Sequence, residues 1–146
     1  MRLTSFTDFG LRMLMRMAGD PSRAFSSAEL AADLGLSRNH LAKIIQHLAR
    51  AGLIDTRRGG GGGAMLARPA AEIRLGQIIR LLEEGQPLVE CFDTERNRCV
   101  ITPACKMKGM IAEASRAFYD VLGKYTIAEV CAKPEALLRH LGLSAP

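Results

Sequence analysis

Three cysteines within fifteen residues are the first feature of this 146-residue sequence that could do chemistry. Cys91, Cys99 and Cys105 form C-x7-C-x5-C, and a fourth, Cys131, stands apart. Thiolates are soft donors suited to iron-sulfur cores and zinc, and a loop wraps three of them around one inorganic centre more readily than a helix does. Zinc fingers want close C-x2-C pairs, which are missing here, and no histidine lies inside the span. Three thiolates leave a four-ligand site one donor short. The fourth has to come from elsewhere, from solvent or from a labile position open to a small gas. On the residues alone, a cluster stands beside a thiol redox switch, a zinc site and incidental cysteines. Cys131, on a short apolar stretch, reads as a small core residue.

The elements that must position these thiols are mostly helices. Residues 91–103 have no apolar period and read as a loop. A long helix is expected from about 103 to 123, with Pro103 in its first turn. Its apolar positions Met107, Met110, Ile111, Ala114, Phe118, Val121 and Leu122 form a stripe roughly 30 Å long by helical rise. That stripe is a candidate dimer seam; the alternative is packing on its own domain. Before the loop, residues 72–84 read as an amphipathic helix with Leu75, Ile78, Ile79 and Leu82 on one face, ended by Gly85-Gln86-Pro87. After the long helix, Thr126 and Glu129 spell a capping box, and the tail carries Leu137, Leu138 and Leu141 at helical spacing.

The first half has a different organisation. A helix is expected over about 6–17, stopped by Gly19-Asp20-Pro21, and Ser26 with Glu29 forms a capping box for a short helix over 27–34. Gly35-Leu36-Ser37 breaks the chain, with Ser37 capping a third helix over about 38–51. Leu41, Ile44, Ile45 and Leu48 make its buried stripe, which leaves Arg38, Asn39, Lys43, Gln46, His47 and Arg50 off that stripe as candidate DNA-reading side chains. Residues 53–58 and 64–68, joined by five glycines, read as a hairpin. A linker is out of place between two apolar pieces, and a phosphate loop needs a Lys-Ser/Thr that is missing. A hairpin directly behind a helix-turn-helix is the wing of a winged helix. The expected fold is therefore mainly α with a small β-hairpin wing, divided as a DNA-binding domain over 1–84, a cysteine loop over 85–105, a dimerisation helix over 104–124 and a helical tail over 125–146.

Charge is distributed to match. Residues 1–70 carry ten Lys/Arg against five Asp/Glu, whereas residues 71–146 carry ten of each. A basic first half suits a polyanion such as double-stranded DNA, although a solvated basic surface would look the same by charge alone. No apolar run approaches the roughly 20 residues of a bilayer span, and no signal-peptide pattern opens the sequence, so a cytoplasmic location without membrane contact is expected. An enzyme is not expected: there is no C-x-x-C, no nucleotide fingerprint and no histidine placed as a base beside a thiol.

The stretch from Met1 to Arg12, Ser37-Arg38-Asn39-His40-Leu41, the glycine-rich wing and Leu88-Val89-Glu90-Cys91 through Thr102-Pro103-Ala104-Cys105 together resemble the NsrR-like regulators. These are nitric-oxide-sensing repressors of the winged-helix family that also contains IscR, and the resemblance covers nearly the whole chain. It implies a homodimer whose Cys91, Cys99 and Cys105 hold an iron-sulfur cluster, [4Fe-4S] favoured over [2Fe-2S], with Asp8 of the partner subunit as an oxygen ligand. Without that resemblance, Asp8 reads as a helix-surface carboxylate paired with Arg12. IscR-like members use a histidine three residues after the last cysteine; here Lys108 stands there, so that ligand set is absent. The relatives usually have five residues between the first two cysteines and this chain has seven, which bears on cluster type and exposure. In such a dimer Ser37, Arg38, Asn39, His40, Lys43 and His47 would address the major groove of a pseudo-palindromic operator, with Arg57 and Arg58 against phosphate or minor groove. Nitric oxide would be the signal. A cluster-free thiol sensor of the same fold is the rival.

Overall fold

The computed structural model describes residues 2–57, 59 and 62–143. Among the described residues, seven α-helices and one two-stranded antiparallel sheet follow the order α1 (Ser5–Ala18), α2 (Ser27–Leu34), α3 (Arg38–Arg50), β1 (Ile54–Arg57), β2 (Gly63–Leu66), α4 (Leu75–Leu82), α5 (Lys106–Leu122), α6 (Ile127–Val130) and α7 (Pro134–His140). The mainly α architecture with a hairpin wing is the expected one.

One core joins α1 to α4, the wing and α6. Met13, Leu14 and Met17 of α1 meet Leu30 of α2, Leu41, Ile44 and Leu48 of α3, and Ile78 and Leu82 of α4, all buried. Gly10 lets α1 cross close to its neighbours, because a Cβ there would lie 2.7 Å from Leu82 Cδ1 and 3.4 Å from Ile44 Cγ2. The turn into α3 is made as expected, with Gly35 in the left-handed region at φ 63°.

The wing pairs Ile54 with Leu66 and Arg57 with Gly63. Phe25 extends it: its N–H and C=O exchange 2.8 Å bonds with Ala64, so the turn before α2 lies along the hairpin. Arg58 lies outside the described residues.

Several local expectations need correction. Ser26 accepts from the Glu29 amide at 3.1 Å, but the Glu29 carboxylate binds the Arg23 guanidinium at 2.6 Å, so the capping box is half made. Ser37 sits at the N-cap of α3 without a side-chain capping bond among the described residues. The helix expected over 72–84 begins only at Leu75: Ala70–Glu72 is a 3-10 turn, and Arg74 is extended and bridges to Thr126. Pro103 falls in a separate 3-10 turn (Thr102–Ala104), and α5 starts after Cys105. The Thr126–Glu129 capping box is complete.

Candidate nucleic-acid face and cysteine loop

Helix α3 turns its hydrophobic stripe inward because Leu41, Ile44 and Leu48 recur at helical spacing, and this fixes what faces out. Ser37, Arg38, Asn39, His40, Lys43, Gln46 and Arg50 are exposed, and so is Arg57 on β1. Among the described residues, Arg38, Lys43, Arg50 and Arg57 form no ion pair, whereas Arg12, Arg16 and Arg23 all do. Unpaired cations on an outer helix face can meet phosphate without first breaking an internal bridge. Between α3 and the wing runs an open groove of about 660 Å³ whose lining includes Lys43, Gln46, Arg50 and Thr56.

His47 is not part of this face. It is half-buried, with Nε2 3.3 Å from the Leu81 carbonyl oxygen and its ring edge-on to Phe6 at 5.8 Å. Seven residues earlier on the same flank, His40 stacks on Phe9 at 6.1 Å while staying exposed. The two histidines thus seat α3 on α1, and nothing in the α3 pattern alone distinguished the half-buried His47 from the exposed His40.

The cysteine loop is built from short-range polar turns. Cys91 lies in a 3-10 turn (Glu90–Phe92), and Cys105 is the N-cap residue of α5. Between Cys91 and Cys99 the chain makes a turn at Asp93, whose Oδ1 accepts from the amides of Glu95 and Arg96 at 3.1 Å each. Glu90 Oε1 then accepts from the Arg98 amide at 2.6 Å, closing the base of that turn. Asn97 accepts from the Cys99 amide at 3.0 Å and donates to Thr102 Oγ1 at 3.1 Å.

All three loop thiols are free and half-buried. Their chemistry fits an iron-sulfur core: soft donors, none in a disulfide, all on one loop. Among the described residues, no three His, Cys, Asp or Glu side chains are gathered closely enough to hold a metal ion. Asp8 is held by Arg12, 2.7 Å from Nη2 and 3.2 Å from Nε, and its side chain is 45% exposed. Cys131 differs from the loop thiols. It is buried, its thiol donates to the Met15 carbonyl at 3.5 Å, and desolvation pushes its pKa up.

None of the described residues of α5 is buried. Its C-terminal end packs closely on α4, where a Cβ on Gly76 would lie 2.7 Å from Gly123 N and the Arg80 guanidinium lies 4.6 Å over the Tyr119 ring. Elsewhere it leaves apolar surface open: Met107, Met110 and Val121 are exposed, as are Val100 and Ile101 beside Cys99. Two contacts lay outside the sequence reading. Thr4 and Glu83, 79 residues apart, are bonded through Glu83 Oε1. The buried ion pair of Arg16 with Asp33 was at least hinted at by a cation inside the apolar stripe of α1.

The chain is 41% identical over 131 residues to the HTH-type transcriptional regulator NsrR of Shouchella clausii, covering 89% of this chain and 88% of that protein. It is 37% identical over 142 residues to the NsrR of Bacillus subtilis, covering 97% of each. Among solved structures it is similar to T. potens IscR, with TM-score 0.72 and 26% identity over 93% of this chain and 90% of the other. CymR, the global cysteine regulator of B. subtilis, aligns with TM-score 0.70 and 25% identity over 90% of this chain and 97% of its own. A family profile described as Rrf2, iron-dependent transcriptional regulator, matches residues 3–133. With that profile spanning the helix-turn-helix, the wing, the cysteine loop and α5, the chain belongs to the Rrf2 family: it is a DNA-binding transcriptional regulator with a winged-helix fold, and not an enzyme.

Proposed function

We propose that the chain is a homodimeric repressor whose operator affinity is set by an iron-sulfur cluster held on Cys91, Cys99 and Cys105 and reactive toward nitric oxide. The observation that carries this reading is the trio of free, half-buried thiols on one loop at the head of α5. Asp8 of the partner subunit is the proposed fourth ligand, and the exposed apolar side of α5 the proposed dimer seam. When bound, the cluster supplies iron sites that nitric oxide can attack. The chain's own residues do the rest. A carboxylate holds iron less firmly than a thiolate, so Asp8 is the ligand most easily withdrawn, and Arg12 stands ready to pair with it. Helix α1 carries Asp8 and also Phe6 and Phe9, against which His47 and His40 seat the recognition helix. A shift of α1 therefore reaches Arg38, Asn39, His40 and Lys43, the residues proposed for the major groove, while Arg57 and Arg58 address phosphate or minor groove. Two-fold symmetry calls for a pseudo-palindromic operator with half-sites about one helical turn apart.

Anaerobic purification followed by visible absorption, native mass spectrometry and operator binding tests the reading. A dimer with bound iron and sulfide that releases operator on exposure to nitric oxide is expected. A dimer without iron, whose operator affinity survives replacement of all three cysteines by serine, refutes it. The second reading is a cluster-free thiol sensor, favoured by the absence of three gathered donors among the described residues. A colourless protein that still releases operator on oxidation would establish that reading.

A further inference from the structure

We infer that Glu83 is a positioning residue for the Asp8 ligand, acting through Thr4; the inference rests on the reading of Asp8 given above. Glu83 follows the last residue of α4, where the chain leaves for the cysteine loop. Its Oε1 accepts two bonds from Thr4, from the amide at 2.8 Å and from the hydroxyl at 2.9 Å. Thr4 is the N-cap of α1. A carboxylate only accepts, so the single hydroxyl proton of Thr4 is committed to Glu83, and the lone pairs of Thr4 Oγ1 are left for Thr7. The Thr7 amide donates to that oxygen at 3.2 Å, and the Thr7 hydroxyl, fully buried, must donate as well across its 3.1 Å contact. The Asp8 amide donates to the Thr4 carbonyl at 3.0 Å, the first rung of α1.

The backbone that carries Asp8 therefore hangs from Thr4, and Thr4 hangs from Glu83. The negative charge also sits where the free amides of a helix start favour it. Removing the carboxylate leaves the Thr4 amide and hydroxyl without their acceptor and releases the first turn of α1. Asp8 lies in that turn. The ligand would keep its chemistry and lose its aim.

The test compares full-length wild type with Glu83→Ala, Glu83→Gln, Asp8→Ala and the Glu83→Ala/Asp8→Ala double variant, reconstituted anaerobically with ferrous iron and sulfide. The readouts are the visible circular dichroism of the bound cluster, its half-life in EDTA, and amide exchange at Thr7 and Asp8 in the iron-free protein. Glu83→Ala is expected to shorten the half-life by about tenfold, the usual scale for losing a residue that orients a ligand. It should shift the spectrum as Asp8→Ala does, add nothing in the double variant, and speed exchange at Thr7 and Asp8 without iron. Glu83→Gln, which keeps an acceptor oxygen, should restore the wild-type spectrum. If Asp8→Ala alters the cluster and Glu83→Ala does not, the proposal is overturned and the ligand reading stands. If Asp8→Ala leaves the cluster unchanged, the ligand reading fails and takes the proposal with it. Should Glu83→Ala not fold, Glu83→Asp, with its carboxylate one methylene further from Thr4, decides between the same outcomes.

Discussion

Replacing Asp33 by alanine should destabilise the chain far more than the position of this residue near the end of α2 suggests. Arg16 projects from α1 among Met13, Leu14 and Met17, with its side chain only 4% exposed, and Asp33 is 11% exposed. The guanidinium donates through Nε to Asp33 Oδ2 at 2.8 Å and lies 4.7 Å over the Phe25 ring, while Nη1 has no partner among the described residues. Removing the carboxylate leaves a buried cation uncompensated, which costs about 3–5 kcal/mol. The contact with Phe25, worth about 0.5–2 kcal/mol, survives and does not replace it. Arg16→Met keeps the apolar stem and removes the charge, and the abandoned carboxylate is close enough to solvent to rehydrate. Its cost should be nearer the roughly 1–3 kcal/mol of an unsatisfied polar group. The double variant should then be more stable than Asp33→Ala alone. Urea unfolding of the iron-free protein, followed by far-UV circular dichroism at one protomer concentration, measures all three. A loss of about 3 kcal/mol corresponds to roughly 6–12 °C in Tm for a chain of this size. A loss below about 1 kcal/mol for Asp33→Ala, or a double variant no more stable than it, would refute the reasoning.

Lys43→Ala should weaken operator binding similarly across operator sequences and reduce the slope of log K against log salt by about one, as for one lost phosphate contact; an unchanged slope in a salt titration would remove Lys43 from the interface. Thr126→Ala should cost about 1 kcal/mol in urea unfolding through loss of the α6 cap. The Glu129 carboxylate, held below its ordinary value chiefly by the Thr126 hydroxyl and amide, stabilises the fold above the unfolded-state value; that stabilisation should fade as pH falls from about 4.5 through the lowered folded value, and fade less in Thr126→Ala. Alkylation of the native iron-free protein at neutral pH should label Cys91, Cys99 and Cys105 well before Cys131, since burial raises that thiol's pKa and limits access; equal rates in a peptide-mapped time course would contradict the placement of Cys131.

The helices, the wing and the cysteine loop were legible because each is a local pattern: the Leu41, Ile44, Leu48 stripe, two strand-like pieces about a glycine run, and thiols on a stretch without apolar period. The errors arose where two local signals competed for one group. Glu29 was an acceptable capping residue, but Arg23 offers it a full charge. Pro103 suits a helix start, yet it sits in its own turn because Cys105 takes the N-cap position. Arg74 and the 3-10 turn ahead of it are fixed by pairing with Thr126, a residue 52 positions away, which no window on the sequence contains. The half-burial of His47 was not legible for a related reason. Its orientation depends on a carbonyl of α4 and a ring of α1, and at the flank of a helix the stripe does not decide whether a polar side chain faces in or out.

The stitching of Phe25 to Ala64 has a consequence for how the head of the molecule approaches a duplex. The hairpin is bound at its base to the segment that leads into α2, so the offset between strand and recognition helix is set during folding and costs no ordering when a groove is entered. The paired positions end at Arg57 and Gly63, where the glycine-rich tip begins. Lengthening or shortening this tip should change how far the wing reaches along the sugar-phosphate rail, while the spacing at which the helix meets the bases stays the same.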